Sequence, residues 1–62
     1  MVRDIFEVSD MCDPKDTMVV TLSRSYVELR LISDSAYLDL TLDAAKDFAS
    51  KILKHVELLH GP

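Results

Sequence analysis

Residues 17–41, TMVVTLSRSYVELRLISDSAYLDLT, hold three strand-like runs whose apolar residues line up on one face, and this stretch decides the fold. The runs are 17–23, 26–32 and 36–41. Side chains on a strand point alternately to opposite faces. Met18, Val20 and Leu22 therefore share one face of the first run and Val27, Leu29 and Leu31 one face of the second. Leu38 and Leu40 do the same in the third, continued by Leu42. With Arg24 and Ser25 as a two-residue turn, Leu22 faces Val27, Val20 faces Leu29 and Met18 faces Leu31. With Asp34 and Ser35 as the next turn, Leu31 faces Leu38, Leu29 faces Leu40, and Arg30 lies opposite Asp39 on the other side. A slip of one residue would turn each apolar set outward, so these registers are preferred over their neighbours. Neither turn carries the Asn-Gly or Asp-Gly pair that two-residue hairpins favour, and longer loops would preserve the same facing.

A helix follows almost without a linker. Thr41 is a suitable N-cap, and Asp43 puts a carboxylate in the first turn, where the helix dipole favours negative charge. The spacing predicts a helix over 42–60, ended by Gly61 and Pro62. At 100° per residue Ala45, Phe48, Ala49, Ile52, Leu53, Val56 and Leu59 form one apolar stripe, which should lie across the apolar face of the sheet. Lys46, Asp47, Ser50, Lys51, Lys54 and Glu57 fall elsewhere. Leu29, Leu40, Phe48 and Ile52 are the expected deep core.

Residues 1–16 are acidic and less patterned. Residues 4–8 read as a short strand with Phe6 and Val8 on one face, and Asp13-Pro14 marks a turn before the meander. This segment is expected to pair beside 17–23 as an edge strand, with a mobile tail as the alternative. The fold class is then α+β: an antiparallel three- or four-stranded β-meander followed by one C-terminal amphipathic helix packed on one face of the sheet. All 62 residues form one small domain, divided into 1–16, the meander 17–41 and the helix 42–60.

So short a chain is near the lower limit for an independent core. Ordering costs of about 1.5 kcal/mol per residue are barely offset by the burial such a domain achieves. The single cysteine, Cys12, excludes an intrachain disulfide, and no ligand cluster suggests a metal. Association is the remaining supplement, and a homodimer or another protein partner is the expectation. One free cysteine favours a reducing compartment, and the absence of a long apolar run argues against a signal peptide or membrane span, so a cytoplasmic protein is expected.

The outer face of the sheet is the first candidate for that association. Under the registers above, Thr17, Ile32 and Tyr37 form one cross-strand row and Val19, Arg30 and Asp39 the next. Val19, Ile32 and Tyr37 would make an apolar patch with Tyr26 further along it, the aromatic-anchored kind of surface found at interfaces. Such residues also fit any half-exposed pleated surface. Leu58 lies opposite the helix stripe and is a further candidate contact, although a lone exposed leucine is ordinary.

The net charge is −4, with residues 1–16 carrying −3 of it, and the isoelectric point of about 4.8 argues against a direct grip on nucleic acid. Tyr26 and Tyr37 on an open sheet would offer stacking platforms, but the charge has the wrong sign. The acidity admits another role. Asp4, Glu7, Asp10, Asp13 and Asp16 recur every three residues, and Asp10, Asp13 and Asp16 are candidates for an acidic surface that occupies a basic channel of another protein.

Catalysis finds little support. His55 and His60 are five apart on one helix and diverge by roughly 140°, which prevents joint chelation. Cys12 has acidic neighbours that would raise its thiol pKa. Gly61 is the sole glycine, which excludes glycine-rich phosphate loops. No carboxylate pair stands out, and one sheet with one helix leaves little room for a deep pocket. No catalytic, cofactor or metal residue is assigned. The favoured function is a small interaction or regulatory module that self-associates through the outer sheet face or an edge strand. The alternative is a small acidic inhibitor, of the kind mobile elements encode, acting by steric block or nucleic-acid mimicry.

Overall fold

The computed structural model describes residues 4–61. Three strands, β1 (Asp4–Ser9), β2 (Thr17–Leu22) and β3 (Val27–Ile32), form an antiparallel meander in the order β1-β2-β3, followed by one helix, α1 (Leu42–His60). The β2–β3 register is the expected one, with Leu22 opposite Val27, Val20 opposite Leu29 and Met18 opposite Leu31. Arg24 and Ser25 form the turn. Ser23 N–H donates to the Tyr26 carbonyl at 3.0 Å, and the Ser23 hydroxyl donates to the same oxygen at 2.8 Å, so a serine closes a turn that has no glycine. The N-terminal segment is the second edge strand, with Phe6 opposite Val20 and Val8 opposite Met18.

α1 is capped as its sequence requires. The Thr41 hydroxyl accepts Ala44 N–H at 3.1 Å, satisfying a donor that the helix leaves unpaired. At the other end Gly61, with φ of 76°, donates its N–H to the Glu57 carbonyl at 2.8 Å, in backbone geometry that L-residues rarely adopt.

The core is centred on β2 and lies to one side of the sheet. Val8, Val20 and Leu22 are buried, with Val20 wholly so, and Phe6, Met18, Val27, Leu40, Phe48 and Ile52 pack around them. The Phe6 and Phe48 rings meet at 6.2 Å and 60°, and Lys51 Nζ stands 4.7 Å over the Phe6 ring. α1 therefore covers the β1–β2 half of the face.

Three expectations are corrected. Residues 36–41 are not a strand: the chain leaves β3 and crosses to the β1–β2 loop, where Met11 N–H donates to the Asp39 carbonyl at 2.7 Å and Asp39 N–H donates to Asp10 Oδ1 at 2.7 Å. The pairings of Leu31 with Leu38, Leu29 with Leu40 and Arg30 with Asp39 accordingly do not form. Leu29 is not deep core but 54 % exposed, because β3 is an edge strand and the helix lies over the other half of the sheet. The buried line of α1 is also turned from the expected stripe. Ala44, Ala45, Phe48, Ile52, His55 and Leu59 face inward, with His55 only 6 % exposed, whereas Ala49, Leu53 and Val56 are exposed.

Candidate functional site

On the inner face, the β3 side has no helix over it. Leu29 and Leu31 of β3, Met18 of β2, and Tyr37, Leu38 and Leu40 of the crossing segment line an open apolar groove of about 330 Å³. Alternation along β2 and β3 supplies its floor, since Met18, Leu29 and Leu31 all point to the side that carries the core. Its wall follows from Asp10. That carboxylate accepts Cys12 N–H at 2.8 Å and Asp13 N–H at 2.9 Å through Oδ2, and Asp39 N–H through Oδ1. The crossing segment is thus tied to the β1–β2 loop, and Tyr37 and Leu38 fall over the β3 side. These three bonds, led by that from Asp39, hold the Asp10 carboxyl below its ordinary 3.8.

The helix extends the same surface. Around its axis Lys51, which covers Phe6 on β1, lies roughly 160° from Ala49 and Leu53, so the Ala49, Leu53 and Val56 flank turns toward β3. Val56 borders a small cleft with Val27 and Tyr26 at the β2–β3 turn, next to His55. His55 Nε2 lies 2.7 Å from the Ser23 carbonyl. A carbonyl only accepts, so Nε2 carries the proton, and the histidine joins the helix to the turn.

Leu29 is 54 %, Leu31 39 % and Tyr37 65 % exposed in the groove, and Leu53 and Val56 are exposed on the helix flank. The groove lining contains no ionisable group except the Tyr37 phenol, and among the described residues no set of His, Cys, Asp and Glu is placed to hold a metal.

The sequence-predicted interaction residues are dispersed. Val19 lies on the outer face between Glu7 and Arg30 and is half-buried. Ile32 is exposed opposite Thr17, but Tyr37 is not beside it: the row of Thr17, Ile32 and Tyr37 is broken because residues 36–41 leave the sheet and carry Tyr37 to the inner side. Tyr26 is exposed beside the turn and Leu58 on the helix, with no contact between them and the groove. Of the acidic candidates, Asp10 is spent on backbone donors, and Asp13 Oδ1 accepts Lys15 N–H at 3.0 Å. Asp16 N–H donates to the Asp13 carbonyl, which leaves its carboxylate outside this network. The residues missed from sequence are Leu29 and Leu31, hidden by their resemblance to core, and Leu38, hidden by the strand assignment.

Among the described residues no helix is long and apolar enough to cross a membrane. No protein-family model matches the chain, and no curated protein or solved structure matches it.

Proposed function

We propose that this chain is a small, non-catalytic protein-protein interaction module of the regulatory kind, working through the uncovered β3 side of the inner sheet face. One observation carries the reading: an exposed apolar groove lined by Leu29, Leu31 and Tyr37 lies beside a core in which, among the described residues, three aliphatic side chains are buried. So small a core leaves the chain marginal by itself, and covering that surface would add the burial it lacks. Tyr37, an exposed aromatic rim over a leucine floor, is the type of anchor on which interfaces concentrate their energy. The single free cysteine, Cys12, which is exposed, favours a reducing compartment such as the cytoplasm. The acidic-inhibitor reading draws on Asp13 and Asp16 without Asp10, whose carboxylate serves the fold.

A photo-reactive residue in place of Tyr37, compared with the same residue at Lys54 on the outward side of the helix, tests the reading in the producing cell. Protein adducts at position 37 and not at 54 are expected. Absence of any adduct at 37 would refute it.

A further inference from the structure

We infer that the partner of this surface is a second copy of the chain, joined through antiparallel pairing of β3 with β3 about a two-fold axis at Leu29. The inference rests on the interaction-module reading and specifies its partner.

Backbone geometry shows which groups of β3 are free. In an antiparallel ladder, residue pairs that exchange hydrogen bonds alternate with pairs that do not. The Ser23 N–H bond to the Tyr26 carbonyl fixes Ser23 and Tyr26 as a bonded pair. Counting along the register, Thr21 with Glu28 and Val19 with Arg30 are bonded pairs, and Leu22 with Val27, Val20 with Leu29 and Met18 with Leu31 are not. The other end of the sheet agrees, because Asp10 N–H bonds the Asp16 carbonyl and so makes Val8 with Met18 and Phe6 with Val20 the bonded pairs on the β1 side. The N–H and C=O groups of Val27, Leu29 and Leu31 therefore point away from β2. Among the described residues no other hydrogen bond reaches them. Such an edge is a template for another strand.

The sequence of β3, VELRLI, is self-complementary about Leu29. A two-fold axis there sets Leu29 opposite its own copy as a bonded pair, and Val27 opposite Leu31. On the outer face Glu28 meets Arg30, Arg30 meets Glu28, and Tyr26 meets Ile32. Every apolar residue meets an apolar one, and every charge its opposite. Within one chain Arg30 Nη2 and Glu28 Oε1 lie 3.6 Å apart on an exposed surface, so both charges already point to the side the pairing needs.

Neighbouring registers fail this test. An axis at Val27 opposes Arg30 to Arg24, and an axis at Leu31 opposes Glu28 to Asp34, like charges in both cases. The other edge is unsuited to self-pairing. Its outward-pointing residues are Ile5, Glu7 and Ser9, and an axis at its middle would set Glu7 against Glu7.

Pairing at β3 yields one six-stranded sheet with both helices on the same face. The partner's Leu31 and Val27 then flank Leu29, and its Tyr37 approaches the same strip. The pairing bonds the free backbone edge of β3 and buries the facing flanks of Val27, Leu29 and Leu31. The contact is isologous, so it closes at two chains and does not propagate.

The test combines solution mass with directed disulfides. Light scattering over a concentration series should pass from the 7.0 kDa chain to twice that mass. In a Cys12→Ser background, Glu28→Cys and Arg30→Cys chains are then oxidised separately and mixed. Residues 28 and 30 of opposite chains form a non-bonded pair with Cα atoms about 4.5 Å apart, within disulfide reach. Residue 28 is about 7–8 Å from its own copy, beyond that reach. The mixture should cross-link and the separate chains should not. Independently, Glu28→Arg should weaken dimerisation about tenfold or more, and adding Arg30→Glu should restore it. A mass of one chain throughout the series would overturn the inference, as would cross-linking no better in the mixture than in the separate chains. A single-chain mass with Tyr37 adducts to a different protein overturns self-pairing alone, and a single-chain mass without adducts overturns the interaction module as well.

Discussion

Val20→Ala measures how much of the stability rests on the small core at β2. Val20 is wholly buried, between Phe6 on β1 and Leu29 on β3. The substitution removes two methyl-sized groups, worth about 1.6 kcal/mol at ~0.8 kcal/mol each. A residual void of about 40–50 Å³ adds about 1 kcal/mol at ~24 cal/mol per Å³. The expected loss is about 2–3 kcal/mol, a large share of the ~3–5 kcal/mol a core of this size supplies. Melting should fall by roughly 10–20 °C. Val56→Ala is the matched control, since the same groups leave a site that is 41 % exposed and alanine is the better helix former. It should stay within about 1 kcal/mol of the parent. Urea unfolding followed by far-ultraviolet circular dichroism gives both values. Equal losses at the two positions, or a Val20→Ala chain as stable as the parent, would refute a core centred on β2 with the helix lying to one side.

His55→Phe keeps the ring but removes the donor to the Ser23 carbonyl, and should cost about 1–3 kcal/mol, with His55→Gln losing less; an unchanged urea midpoint would count against that bond as a structural contact. For Asp10 the native pKa is lowered, so its contribution is present above the ordinary 3.8 and is lost as pH falls through the lower native value. Asp10→Asn should therefore reduce stability at neutral pH and give a shallower decline below about pH 4, read from helical dichroism during acid titration. Parallel acid limbs for variant and parent would contradict the role assigned to that carboxylate.

The meander was legible where alternation and a short turn act together. Leu22 opposite Val27 leaves only Arg24 and Ser25 to close the hairpin, and any slip exposes the whole apolar set. The helix was legible from Thr41 and Gly61 because capping is local. Residues 36–41 were not, although Leu38 and Leu40 alternate as strand residues do. Alternation records which side chains share a face and says nothing of which backbone receives the hydrogen bonds. Here Asp10, nearly thirty residues away, wins the Asp39 amide. The depth of His55 was not legible for a related reason. A polar residue within an apolar stripe becomes core only when a distant acceptor, the Ser23 carbonyl, lies within reach. The apolar groove proposed as the interaction surface was obscured by the same error. With residues 36–41 assigned as a fourth strand, Leu29 becomes central and Tyr37 moves to the outer face, so the exposed groove disappears.

Amide hydrogen exchange at Leu29, followed by nuclear magnetic resonance at low and high protein concentration, tests the central claim most directly. The Leu29 N–H points out of the three-stranded sheet, whereas those of Glu28 and Arg30 bond to β2. Fast exchange at Leu29 in dilute protein, slowing with concentration together with Val27 and Leu31 while Glu28 and Arg30 stay protected throughout, is the expected result. Fast exchange at Leu29 at every concentration would contradict pairing of β3 with a second copy.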